Sequence, residues 1–550
     1  MIRLFDQHRI RKVKELDGVW SFVTEKGKSY SLPVPGCLEQ HPDLINYRGK
    51  GTYYKTIYVN SKTNLRFEFK GVSHTADVYF DGRKIAHHYN AYTAFDAIAK
   101  SVAPGEHELR VEIDNSFSEA SALHVPNDYY TYGGITRPVS VEEIPNQYIK
   151  NVHFTPSRNT DGWAAKIEVE IENLVRETTA ADIKIELANK TISKQVELAS
   201  NGITRVEFIE CFSDIEEWFV LSPKLYMLDV NFNQIDDFRD RVGFRQVTMD
   251  GHRLLLNGKR VFLKGFNRHE DYGTIGCAVP LQIMVQDMDM MMEVGANALR
   301  TCHYPNDERF LDLCDERGIL VWEENHARGF NLEKMENPNF DRQCEDCINE
   351  MITQHYNHPS IVIWGILNEC ASETEIGRRK YEMQYNQIKK LDASRPTTSA
   401  TCRHFTDICL DLPDIVSFNI YSGWYQDIDV KSRHEDEMSW IESAGGALKP
   451  VIVSEFGGAA MYGYRDRGHC KWSEERQVDI IEENLACYAN DDRLSGVFIW
   501  QFADCRVTEE DWWTTRARCH NNKGLVDEYR RPKEAYDVVK KWFDKMERID

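Results

Sequence analysis

The sequence lacks the features that mark several protein classes. It holds no run of about 18 apolar residues, the length a membrane-spanning helix needs, so no membrane partner is expected. It has no basic surplus: 67 Lys and Arg stand against 88 Asp and Glu, a formal net charge of −21. Such a surface repels phosphate backbones, and no basic stripe offsets it, so nucleic acid is not an expected partner. No G-x-G-x-x-G or G-x-x-x-x-G-K-[ST] follows an apolar run, which removes the commonest nucleotide-binding signatures. The 14 Cys fall mostly singly. The closest pair, Cys344 and Cys347 in C-E-D-C, has no second pair at zinc-site spacing. Reduced, structural thiols are the reading. The opening M-I-R-L-F-D-Q-H-R shows no apolar signal core and no small-residue cleavage site, so the cytoplasm is the expected compartment.

What is present is enough chain for two or three domains, 550 residues with ordinary Gly and Pro and 11% aromatics. The first part reads as short β-rich runs: 51–59, 65–69, 76–80 and 107–113. Asp81-Gly82 between two of them suits a tight hairpin. This predicts a β-sandwich over 1–146. Similar runs at 166–171, 181–187, 205–209 and 227–232 predict a second, smaller sandwich over 147–249. From 250 to 550 strand-like runs alternate with helical ones. Eight strand candidates, 261–266, 296–301, 319–323, 361–367, 397–401, 415–420, 451–454 and 496–500, fit a (β/α)8 barrel. The fifth is short and polar. A doubly wound open sheet is the competing architecture.

In such a barrel the working groups sit where strands end at the C-terminal face. Glu369 follows the fourth candidate in I-V-I-W-G-I-L-N-E, and Glu455 closes the seventh in V-I-V-S-E. These strands face each other across the barrel mouth, so both carboxyls can enter one cleft. Cleaving a glycosidic bond uses such a pair, one protonating the leaving oxygen and the other attacking the anomeric carbon. A retaining pair stands about 5–5.5 Å apart. Asn368 is placed to donate to a sugar 2-hydroxyl. His303, Tyr425 and Trp500 gather on the same rim, where aromatic faces and fixed polar groups suit a sugar. Taken singly, each is as readily a packing residue.

Several motifs together resemble glycoside hydrolase family 2. They are Leu16-Asp17-Gly18-Val19-Trp20, Tyr132-Gly133-Gly134-Ile135-Thr136-Arg137-Pro138, Arg241-Val242-Gly243-Phe244-Arg245, G-F-N-R-H-E-D at 265–271 and Asn368-Glu369. The resemblance implies a jelly-roll domain, an immunoglobulin-like sandwich and a catalytic TIM barrel. It also implies a retaining double displacement with Glu369 as acid/base and Glu455 as nucleophile. Asn521-Asn522-Lys523 is similar to the N-x-K motif of the β-glucuronidases in this family. That match assigns Asn521 and Lys523 to the sugar carboxylate, Arg518 to the positive field around it, and Asp128 to the sugar hydroxyls. His303, Tyr425 and Trp500 match pocket residues. No cofactor or metal is implied, and a homo-oligomer is.

Two departures from the pattern bear on substrate. The region after the third strand, 325–349, is short, which predicts an open mouth that favours a glucuronide at the end of an oligosaccharide over a small-molecule one. The segment 504–519 is long, with D-W-W at 511–513 near the mouth, and bears on the sugar O4 that separates glucuronate from galacturonate. The expectation is a retaining exo-β-glucuronidase. The alternatives are a β-galacturonidase or dual uronidase, and a non-catalytic carbohydrate-binding protein on the same scaffold.

Overall fold

The computed structural model describes residues 2–160, 162–510, 513 and 515–546. The alternating runs of the first part form two sandwiches in series. The first, jelly-roll-like, faces a four-stranded sheet against a six-stranded one. In Gly105–Asp114 the residues Leu109, Val111 and Ile113 point inward between half-exposed Arg110 and Glu112, the two-residue period of a strand with one buried face. Asp81 and Gly82 have φ of +49° and +78°, the pair of left-handed residues a two-residue hairpin requires. The second sandwich sets three strands on four around Ile167, Val169, Ile183 and Ile185.

The rest is a closed barrel of eight parallel strands, and the open-sheet alternative falls. They are β1 (Leu263–Asn267), β2 (Ala298–Arg300), β3 (Leu320–Glu324), β4 (Ile361–Asn368), β5 (Thr397–Thr401), β6 (Val416–Asn419), β7 (Val451–Phe456) and β8 (Leu494–Ile499). Polar β5 is stable in this interior because its hydroxyls are satisfied. Thr397 donates to Asp414 at 2.8 Å, and Thr398 to the Ile415 carbonyl at 2.8 Å. Gly265 in β1 is required by packing, since a Cβ there would sit 2.5 Å from the Phe498 ring. A feature the sequence reading did not anticipate is a three-stranded sheet, Val247–Asp250, Arg253–Leu256 and Lys259–Val261. Its Leu254, Leu256 and Val261 pack against Leu263, Trp322, Ile363 and Phe498 and fill one end of the barrel.

Cys344 and Cys347 lie buried on the helix Phe340–His355 as part of the apolar core, and all 14 cysteines are free thiols. Among the described residues no helix is long and apolar enough to cross a membrane.

The domains are joined by buried charge. Arg137 of the first sandwich donates to Glu270 and to the Pro305 carbonyl, both at 2.7 Å, and Tyr92 stacks on Tyr304 with ring centroids 3.9 Å apart. The loop between Asp114 and Gly134, with Asp128 on it, is held against the barrel by Tyr129 on His326 at 3.0 Å and Tyr132 on Asp271 at 2.7 Å. Arg3 ties three domains: its guanidinium meets Asp312 at 2.8 Å, Glu308 at 3.3 Å and Asp240 at 3.4 Å with only 4% of its side chain exposed. Removing one partner of such a buried network leaves uncompensated charge, at a cost of about 3–5 kcal/mol. Arg3→Ala is expected to lower the unfolding temperature and speed limited proteolysis at the domain junctions. An unchanged melting curve would show that the junction does not depend on this residue.

Candidate active site

Arg300, the last residue of β2, organises the C-terminal face. It is fully buried, with its guanidinium carbon 4.4 Å from the centre of the Trp322 ring. It grips Glu324 at the end of β3 through two bonds of 2.9 Å. Its remaining donors reach Glu455 at 2.9 Å, Asn368 at 2.8 Å and Asn267 at 3.1 Å. One planar cation thus fixes side chains from β1, β3, β4 and β7.

Glu455 accepts a second bond, from the Tyr421 hydroxyl at 2.6 Å. Burial and the charge of Glu369 push Glu455 up to about 7, against the pull of Arg300, Tyr421 and Arg328. Glu369 leaves β4 in a left-handed conformation, φ +54°, uncommon for a residue with a Cβ and of the kind that clusters at working sites. Its carboxylate accepts from Asn419 at 3.0 Å, and Arg328 lies 3.5 Å away. Two donors aimed at Glu455 hold its anion; the other carboxyl of the pair faces the open side of the pocket.

Asn368 receives Arg300 and Asn419 on Oδ1, which leaves Nδ2 without a partner, free for a ligand oxygen. His303 turns Nδ1 to Glu324 at 2.7 Å and stacks on Trp500 at 5.1 Å. Its Nε2 is unpaired and 3.9 Å from Glu455. Burial, then Arg300, drives this imidazole well below its usual range, so it is neutral at pH 7.

The pocket beside this pair has a volume of about 300 Å³ and is lined by Asp128, Glu369, Tyr425, Trp500, Arg516 and Lys523 among others. Lys523 is 1% exposed. Its ammonium donates to the Tyr425 hydroxyl at 2.9 Å and lies 5.0–5.9 Å from the ring centres of Tyr425, Tyr421 and Trp424. Among the described residues no carboxylate comes within ion-pair distance of it. Burial lowers the Lys523 pKa, and Tyr425, half-exposed but with its hydroxyl partly desolvated, is pulled below its usual range by Lys523 and Arg516. Asn521 donates to Asp128 at 2.9 Å from behind rather than lining the cavity.

Arg518 is a correction. It is half-exposed, with a left-handed backbone, and pairs with Glu528 away from the pocket. Arg516 takes the place expected of it. Arg516 holds Asp128 through Nε at 3.0 Å and Nη2 at 2.5 Å, and also donates to Tyr425 at 3.2 Å. The pair Cys505–Arg506 and His520–Asn521 folds the long segment back on itself, which turns Arg516 inward and Arg518 outward. Of D-W-W, Asp511 and Trp512 lie outside the described residues, and Trp513 sits beneath Arg328 at 5.2 Å. Sequence reasoning also missed Arg300, Glu324 and Arg328. Arg300 opens the same R-T-C-H-Y-P stretch that gave His303, and a charged residue closing a barrel strand was the available signal.

A larger cavity of about 330 Å³ lies between the three domains. The guanidiniums facing it, Arg3, Arg11 and Arg66, are paired with carboxylates, so it offers no comparable unsatisfied charge.

Two substitutions should move the acid limb of kcat/KM in opposite directions. Tyr421→Phe removes a bond to the Glu455 anion and should raise that limb by about one unit. Glu324→Gln removes a carboxylate that competes for Arg300 and should lower the limb, while kcat falls about tenfold or more through loosened Arg300 and His303. Limbs that stay fixed in both variants would separate Glu455 from the observed pH dependence.

The comparisons identify the family. Residues 247–548 match the model for "Glycosyl hydrolases family 2, TIM barrel domain", 147–245 that for "Glycosyl hydrolases family 2" and 26–145 that for its sugar binding domain. A β-galacturonidase from Eisenbergiella tayi, solved with galacturonate bound, is 48% identical over 100% of both chains, with a TM-score of 0.98. A β-glucuronidase of Streptococcus agalactiae is 26% identical over 97% of this chain and 96% of its own. The β-D-glucuronidase of Dictyoglomus thermophilum is 25% identical over 99% and 98%, with a TM-score of 0.86. Strand for strand and motif for motif, the chain belongs to glycoside hydrolase family 2 and is a glycoside hydrolase of the β-glucuronidase type.

Proposed function

We propose that the protein is a retaining exo-β-uronidase whose preferred glycone is galacturonate. Lys523 carries the uronide reading. A buried ammonium without a carboxylate partner is costly in the free protein. A ligand that brings a carboxylate converts that cost into binding, and a neutral hexose does not.

In this reading Glu455, aligned by Arg300 and Tyr421, attacks C1 while Glu369 protonates the departing oxygen. Water activated by Glu369 then releases the sugar. Asn368 Nδ2 donates to the 2-hydroxyl, and Trp500 over His303 forms the floor.

Galacturonate is preferred over the glucuronate expected from the N-x-K motif for two reasons. The 48% identical relative acts on the former, whereas the glucuronidases compared lie near 25%. Arg516 supplies the second reason. The two uronates differ only in the direction of O4. Asp128, the residue assigned to the hydroxyls, has both oxygens engaged by Arg516 and Asn521, so this corner presents cationic donors instead of a free carboxylate.

The deciding assay is kcat/KM on p-nitrophenyl β-D-galacturonide and β-D-glucuronide at matched pH. The galacturonide is expected to be favoured, and Arg516→Ala to narrow the ratio by about tenfold. A glucuronide preference in the wild type would return the glycone to the epimer. Lys523→Ala should cost uronide turnover far more than turnover of a neutral β-galactoside. Equal losses would remove Lys523 from carboxylate recognition. Glu455→Gln should abolish the covalent glycosyl-enzyme detectable by mass spectrometry; an adduct that persists would place the nucleophile elsewhere.

A further inference from the structure

Beyond the carboxyl pair the pocket continues along a wall built by the segments after β5 and β6. Cys402, His404, Ser422, Gln426 and Arg433 line the same cavity as Glu369. They belong to neither the carboxylate clamp nor the nucleophile network. Position assigns them to the leaving-group side: Glu369 faces them, and the Arg403 guanidinium ties this segment to the Glu369 carbonyl at 3.4 Å.

The wall is a built one. Glu437, fully buried on the helix Val430–Ile441, pairs with Arg433 Nη2 at 2.6 Å and His404 Nδ1 at 3.0 Å. These short contacts, which lack hydrogen-bond geometry, keep both side chains beside the buried carboxylate. With Nδ1 turned inward, His404 keeps Nε2 for a ligand, and Arg433 keeps guanidinium donors beyond the one on Glu437. Beside them stands Phe405, 48% exposed, in a left-handed conformation of φ +62°. The Arg433 guanidinium lies 4.8 Å from its ring centre, and Trp440 meets it edge-on at 5.6 Å. The ring itself stands outside the cavity lining, next in the chain to His404, and its open side is available for stacking at the rim.

We propose that this wall is a +1 subsite for a saccharide leaving group, with His404 and Arg433 bonded to its hydroxyls and Phe405 stacked against its apolar face. A flat aromatic aglycone would gain from an apolar slot. Here most lining groups are donors held in place, which suits a ring bearing fixed hydroxyls. Glu437 offsets the charge of Arg433, so a neutral sugar suffices. The inference rests on the uronidase reading and adds the class of group that departs.

The test compares one glycone with two leaving groups: a β-linked uronyl disaccharide and the p-nitrophenyl β-uronide. Phe405→Ala and Arg433→Gln should each lower kcat/KM on the disaccharide by about tenfold, with p-nitrophenyl turnover within about threefold of wild type. Phe405→Ala alters only an exposed ring, so it stays informative if Arg433→Gln disturbs the fold around Glu437. Equal loss on both substrates, or no loss on either, overturns the subsite. A wild-type enzyme that cleaves the p-nitrophenyl uronide but not the disaccharide also overturns it and leaves the uronidase reading standing. Failure on p-nitrophenyl uronides of both epimers overturns the uronidase reading and this inference with it.

Discussion

The buried guanidinium of Arg300 is the constraint on which the site depends. It has no exposure to water, so every donor must find an acceptor within the protein. The acceptors it finds are Glu324, Glu455, Asn368 and Asn267, one from each of four strands. The requirement to satisfy one cation therefore sets the relative positions of the groups around the sugar. Two of those acceptors are carboxylates that burial pushes to about 7. The same arginine opposes that shift in both, drawing Glu324 and Glu455 back toward the ionised form.

A second constraint acts at the other end of the pocket, and its sign is opposite. Glu455 finds donors in Arg300 and Tyr421, whereas Lys523 finds only the Tyr425 hydroxyl and no carboxylate. The protein settles the first internally and leaves the second for a ligand. This division explains how an acidic chain, at −21, can favour an anionic sugar. Net charge acts over distances that salt screens. In the proposed reading, selection in the cleft falls to Lys523 and Arg516 at contact range.

Legibility in the sequence followed the physics of each element. All eight barrel strands and four strands of each sandwich were readable because buried parallel strands give short apolar runs and half-buried strands alternate. The placing of Glu369 and Glu455 at the ends of β4 and β7 was readable because strand ends in a barrel point to one face. The plug sheet at Val247–Val261 was not, because its short runs resemble the strands on either side. The error between Arg518 and Arg516 has a local cause. Two residues apart in a segment without periodicity, they differ only in how the Cys505–Asn521 hairpin turns, and residue type carries no information about that. Arg300 and Glu324 were missed for a related reason. A residue that works through its neighbours shows its role only once those neighbours are placed.

The sandwiches complete this picture, since the barrel alone does not hold the whole pocket. Asp128 comes from the first domain, and its geometry is set by Arg516 and Asn521 of the barrel. Arg328, from the segment after β3, is braced by Asn127 at 3.0 Å, next to Asp128 in the chain. The interdomain pairs of Arg137 with Glu270 and of Arg3 with Asp312 are thus part of the site's rigidity. A displacement of the first domain by one ångström would move Asp128, Arg516 and Arg328 together, while Glu455, held by Arg300 inside the barrel, would stay. Recognition of the sugar hydroxyls is therefore coupled to domain packing, and the chemistry at C1 is insulated from it.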